Sequence, residues 1–111
     1  MTMWKCEVCG LIYEGPEPPE KCPKCGASRE KFRKLSDEEE KLVNRSRFSN
    51  YLHMKAYTLL QELLEVAEKG IQDNLDPGCY KIFVEEKEFA LMTMQKIKAE
   101  LETHMKKQKW G

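Results

Sequence analysis

Four cysteines fall into two pairs, Cys6-x-x-Cys9 and Cys22-x-x-Cys25, and each pair is followed by a glycine, Gly10 and Gly26. Two sulfurs at this spacing can converge on one ion. A glycine just after the second cysteine permits the left-handed backbone that aims amide hydrogens at the thiolates. Cys6, Cys9, Cys22 and Cys25 are therefore the candidate ligands of one tetrahedral metal. Zinc and a single iron both accept a four-sulfur cage, so the ligand set alone does not choose between them. Either way, a closed cage leaves no coordination position for a substrate. The chemistry it supports is a one-electron relay or a structural staple, and no catalytic residue is expected there.

The residues around the pairs carry more information. Trp4-x-Cys6-x-Val8-Cys9-Gly10-x-Ile12-Tyr13, then Cys22-Pro23-x-Cys25-Gly26 and Phe32, resemble a rubredoxin. Twelve residues, Gly10 through Lys21, separate the pairs, and Glu20-Lys21 stand where rubredoxins proper usually carry a tryptophan. This short loop is similar to that of the rubredoxin domain of rubrerythrins, and its N-terminal position is that of the reverse rubrerythrins. The resemblance implies one Fe(II)/Fe(III) per chain, held by the four cysteines and used for electron transport, with zinc as the alternative metal. Val8, Leu11 and Ile12 are expected to limit water near the sulfurs and help set the potential.

The elements that must position these residues differ sharply along the chain. Up to Leu35 the sequence holds Pro16, Pro18, Pro19 and Pro23 with Gly10, Gly15 and Gly26, which favours turns and short strands. The expected fold is a small metal-stapled, rubredoxin-like β-ribbon over residues 1–35, followed by an α-helical hairpin over 36–111, with helices at about 37–73 and 80–107. Ser36-Asp37-Glu38-Glu39 reads as a capping box. Tyr57, Leu60, Leu64, Ala67 and Ile71 form one apolar line, and Leu52, Ala56, Leu59, Leu63 and Val66 form its neighbour. Poor helix formers predict a kink near Phe48, and Gly70 with Asn74 to Gly78 predicts the stop and turn, Asp76 capping and Pro77 opening the second helix. That helix carries Phe83, Ala90, Met94, Ile97, Leu101 and Met105. Both apolar faces are wider than one seam, so a homodimer through the helices, closing a four-helix bundle, is expected.

Rubrerythrins pair their rubredoxin domain with a di-iron bundle that reduces peroxide, so the resemblance raises the expectation of that bundle's ligands on the helices. The bundle needs Glu-x-x-His on two helices. Here Asn50 stands three residues before His53, and Leu101 three before His104. Glu62 with Glu65, or Glu100 with His104, could share a face, but solvated carboxylates and surface histidines are the expected outcome. Cys79 is expected to be a half-buried structural thiol, Met92, Met94 and Met105 to pack, and Trp110 to cover the bundle end or lie free.

With 19 basic and 19 acidic side chains the chain has no net field to draw it to nucleic acid or to an anionic membrane surface. It lacks a run long enough to span a bilayer or to make a signal peptide, so a cytoplasmic location is expected. The resulting expectation is a small one-electron carrier, not an enzyme, whose hairpin dimerises or docks on an oxidoreductase and whose redox protein partner is unknown. The alternatives are a zinc-ribbon interaction module with no redox role and a divergent peroxide reductase.

Overall fold

The computed structural model describes residues 2–111. Three short strands, β1 (Met3–Cys6), β2 (Ile12–Glu14) and β3 (Phe32–Lys34), form an antiparallel sheet in the order β2-β1-β3. A single 3-10 turn, Arg29–Lys31, leads into β3, and two helices follow, α1 (Asp37–Asp73) and α2 (Pro77–Lys106). The architecture is thus a small sheet carrying the cysteines, followed by a helical hairpin. The chain packs as two compact units, Met1–Arg47 with Gln108–Gly111, and Phe48–Lys107.

The first unit is built on very little apolar material. In β1 the residues alternate between faces, so Met3 turns inward and meets Leu35 and Val43, all three under 5% exposed, with Ile12 against them. Trp4 pairs with Tyr13 across β1 and β2, and its indole donates to the Gly15 carbonyl at 3.1 Å. Tyr13 meets Phe32 edge to face, with ring centroids 6.5 Å apart. Val43 shows why the first turns of α1 belong to this unit. Three strands of three or four residues cannot cover Met3 and Leu35, and a helix turn supplies the missing side chains.

The start of α1 is the expected capping box. The Glu39 amide donates to the Ser36 hydroxyl at 3.2 Å, and the Ser36 amide donates back to the Glu39 carboxylate at 3.0 Å. Arg33 of β3 grips both oxygens of the same carboxylate at 3.0 Å, and this ion pair, with the Ser36 amide, lowers the Glu39 pKa to about 2. A folded-state pKa depressed below the carboxylate's ordinary value contributes stability above that value and loses it as pH falls towards the folded pKa. The stability difference between wild type and Glu39→Gln should therefore be full above about pH 5 and vanish near pH 2. Ser36→Ala should cost about 1 kcal/mol by loss of the cap. Denaturant titrations at several pH values measure both; a constant wild-type advantage down to pH 2 would refute the ion-pair account.

Along the helices the structure departs from expectation at two points. First, α1 runs through Phe48 without a break, because Ser46 and Asn50, the weak helix formers around it, are buried against neighbours and held there: Ser46 donates to the Val43 carbonyl at 3.0 Å. Second, Gly70 does not stop the helix. A Cβ built there would lie 2.3 Å from the Phe83 ring, so the glycine is the gap into which that ring fits. Asn74 ends the helix instead, in the left-handed conformation at φ +45°, its amide donating to the Gly70 carbonyl at 3.1 Å. The start of α2 is as expected: the helix opens at Pro77, with Asp76 accepting from the Cys79 amide at 2.7 Å as its cap.

Candidate metal centre

The two cysteine turns have the same construction. In the first, the Gly10 amide donates to the Cys6 carbonyl at 2.8 Å and the Cys6 amide donates to the Leu11 carbonyl at 2.8 Å. In the second, Gly26 donates to Cys22 at 2.9 Å and Cys22 donates to Ala27 at 2.8 Å. Gly10 and Gly26 have φ of +84° and +78°, which explains their place just after each pair: a side chain there would be strained. β1 delivers Cys6 to the site, and its pairing with Phe32 of β3 holds that end of the strand.

The turns interleave their sulfurs. Cys6 Sγ lies 3.7 Å from Cys25 Sγ, Cys9 Sγ lies 3.6 Å from Cys22 Sγ, and all four fall within 4.8 Å of one another with no disulfide formed. A tetrahedral cage with metal–sulfur bonds of about 2.3 Å has edges of about 3.8 Å, so the spacing fits one ion. Among the described residues these four cysteines form the one group of three or more His, Cys, Asp and Glu side chains able to share a metal.

Electrostatics points the same way. Amide hydrogens of Cys9 and Val8 lower the Cys6 thiol against the opposing effect of burial. At Cys22 burial raises the thiol, but the amides of Cys25 and Lys24 outweigh it and bring the group down to about 6. Cys25 has the Ala27 amide to lower it, yet burial and the three neighbouring sulfurs push it up to about 11. Four thiolates this close repel one another, and a cation is what lets all four ionise.

Exposure is uneven in a useful way. Cys6 and Cys22 are buried, Cys9 is half-buried and Cys25 is exposed. The second sulfur of each turn therefore stands nearer to solvent than the first. Leu11 and Ile12 are partly covered as expected, but Val8 is 62% exposed, because it sits at the tip of the first turn where no element lies over it. A cleft of about 320 Å³ opens beside Cys9, lined by Gly10, Leu11, Ile12, Lys24, Trp110 and Gly111. Trp110 thus lines a cleft beside Cys9. Gln108 accepts from Lys5 Nζ at 2.8 Å, Arg47 Nε donates to the Gly111 carbonyl at 2.8 Å, and Gly111 is pressed against Ile12 and Val43. A lone tryptophan among lysines gives no periodic signal, so this position was not readable from sequence.

The helical candidates behave differently. His104 is largely covered: Asn50, itself 2% exposed, meets its Nδ1 at 2.6 Å, while Glu100 lies 3.1 Å from its Nε2. The His53 ring is 6.5 Å from that of His104. These histidines are parts of the seam between the helices, not loose surface groups. Both ring nitrogens of His104 are occupied by protein partners, and Glu62 and Glu65 lie exposed. Cys79 is half-covered, and the Asp76 carboxylate beside it raises its thiol above the ordinary range, which leaves it in the unreactive protonated form. Met94 is packed, whereas Met92 and Met105 are exposed. No helix is long and apolar enough to cross a membrane among the described residues.

Residues 4–33 match the family model of the rubredoxin-like domain of rubrerythrin. Reverse rubrerythrin-1 of Clostridium acetobutylicum is 55% identical over 40 residues, which are 36% of this chain and 22% of that protein. A provisionally named rubrerythrin of Methanocaldococcus jannaschii is 52% identical over 29 residues, 26% of this chain and 14% of the relative. The chain thus spans less than a quarter of the length of the relatives it matches. No solved structure gives a significant match.

Proposed function

We propose, from the premise that residues 4–33 are a rubredoxin-like domain of the rubrerythrin type, that this chain is a one-electron carrier with a single iron bound by Cys6, Cys9, Cys22 and Cys25. The observation that carries the reading is the closed four-sulfur cage, with cross-turn distances of 3.6 and 3.7 Å. When bound there, iron would supply the Fe(III)/Fe(II) couple. The protein's own part is to hold the sulfurs still. Two turns locked by paired backbone hydrogen bonds change little when one electron is added, so little reorganisation opposes transfer. Amide hydrogens from Val8, Cys9, Lys24, Cys25 and Ala27 disperse the negative charge that the added electron increases. Cys9 and Cys25, the less covered sulfurs, give electrons a short route to a docked redox protein.

Protein purified without oxygen and then oxidised should be red, should contain one iron per chain, and should bleach on one electron equivalent of dithionite. A colourless protein with one zinc per chain would replace this reading with that of a zinc-stapled interaction module. Rapid, repeated reoxidation of the reduced protein by peroxide would instead favour a peroxide reductase.

A further inference from the structure

We propose that Gln108–Gly111, the segment after α2, is a strap on the cysteine-bearing unit, and that Trp110 is a positioning residue that screens Cys9 from water and from reagents that attack its thiolate. The inference deepens the metal reading above: it rests on metal binding by the four cysteines, with iron or zinc alike, and not on electron transfer. It starts from an asymmetry. The two cysteine turns share one pattern of backbone hydrogen bonds, and their glycines have nearly the same φ, +84° at Gly10 and +78° at Gly26. The second cysteine of each turn should therefore be equally open. Instead Cys9 is half-buried and Cys25 is exposed.

What differs lies outside the turns. The cleft of about 320 Å³ beside Cys9 is lined by Trp110 and Gly111 together with Leu11 and Ile12, and Cys25 lies outside it. Trp110 is itself half-buried. An apolar ring beside a thiolate site limits the water that reaches the sulfur and lowers the local dielectric, and both effects slow attack on the thiolate and loss of the metal. Cys25, with no such neighbour, is left as the open edge of the site.

The strap is pinned on both sides of Trp110. Just past α2, Gln108 takes the left-handed conformation at φ +61°, and its side-chain oxygen accepts from Nζ of Lys5, which stands on β1 next to Cys6, at 2.8 Å. Beyond the tryptophan the Gly111 carbonyl accepts from Arg47 Nε at 2.8 Å. Arg47 is fixed in turn, donating to the Glu14 carboxylate and to Asn44 Oδ1. Gly111 lies so close to the small core that a Cβ there would be 2.7 Å from Ile12 and 3.0 Å from Val43. A short segment beyond a helix keeps one place only where it is tied down, and a residue between two such ties is held with them. Gln108–Gly111 accordingly pack with Met1–Arg47 as one compact unit.

Iodoacetamide on the zinc-loaded full chain, stopped at low conversion and mapped by mass spectrometry, reads which thiolate is struck first, with Cys79 as the reference outside the site. In the wild type Cys25 should lead. Trp110→Ala should speed Cys9 about fivefold with Cys25 unchanged, and Trp110→Phe should keep Cys9 slow. Gln108→Ala, which removes one surface hydrogen bond and leaves the core untouched, should show the same selectivity for Cys9 at smaller size. Zinc transfer to EDTA should quicken in the same order. Equal acceleration at all four cysteines in both alanine variants would mark a looser unit, and an unchanged Cys9 rate would mark an idle tail; either result, with zinc still bound, overturns the strap alone. A chain that takes up neither zinc nor iron would remove the metal reading, and the strap's role with it.

Discussion

Stripping the metal under reducing conditions should melt the sheet and leave the helical hairpin standing. Cys22→Ala should do the same. The core that remains without a metal is Met3, Leu35, Val43 and part of Ile12, far too little to offset the chain entropy of more than thirty ordered residues. The structural zinc of comparable small domains supplies about 10–16 kcal/mol, as much as the whole stability of an ordinary domain. The metal-free sheet would also have to hold four sulfurs within 4.8 Å of one another, at positions where burial and neighbouring sulfurs already push Cys25 up to about 11. The hairpin has its own packed seam through Ala67, Ala90, Met94 and Ile97 and does not depend on the cysteines. Amide hydrogen exchange would read the two parts separately: protection should disappear from Met3 through Lys34 and persist between Phe48 and Lys107. A metal-free chain whose strand amides remain protected would refute the staple.

Gly70→Ala should destabilise the hairpin by about 1–2 kcal/mol, against the usual direction of that substitution. In a helix interior alanine is favoured over glycine by roughly 0.5–1 kcal/mol, because glycine loses more backbone freedom on folding. Here the new Cβ would lie 2.3–2.4 Å from three carbons of the Phe83 ring, a separation that real Cβ atoms do not show. A ring in a packed seam cannot bend away as the end of a lysine can. Moving it costs about 1–3 kcal/mol, so overpacking outweighs propensity. Phe83→Leu should cost stability alone but much less in the Gly70→Ala background, since the smaller side chain makes room. A double-mutant cycle with denaturant unfolding measures that coupling; additive effects would show that the two positions do not share one gap.

The cysteine site was legible in sequence because its information is local. Two C-x-x-C-G turns of fixed spacing specify their own backbone, and the flanking Trp4, Tyr13 and Phe32 pointed to the family domain that residues 4–33 match. The capping box at Ser36 and Glu39 and the Asp76-Pro77 start of α2 were legible for the same reason: cap and partner lie within three residues. Apolar periodicity likewise announced both helices and the line Tyr57, Leu60, Leu64, Ala67 and Ile71 that lies in their seam.

What tertiary structure decided are the contacts between residues distant in sequence. Gly70 read as a helix stop because its local preference is to end helices, and only Phe83, thirteen positions on, shows that it is a gap. His104 read as a surface histidine until Asn50 closed on it from the other helix. Trp110 came to lie beside Cys9, held through Gln108 and Gly111 by Lys5 and Arg47, partners that no periodicity announces. The four cysteines thus belong to sequence, since short-range backbone geometry makes their site. The half-open state of the second apolar line, Leu52, Leu59 and Val66, belongs to the fold, because two helices can cover only one side of each other.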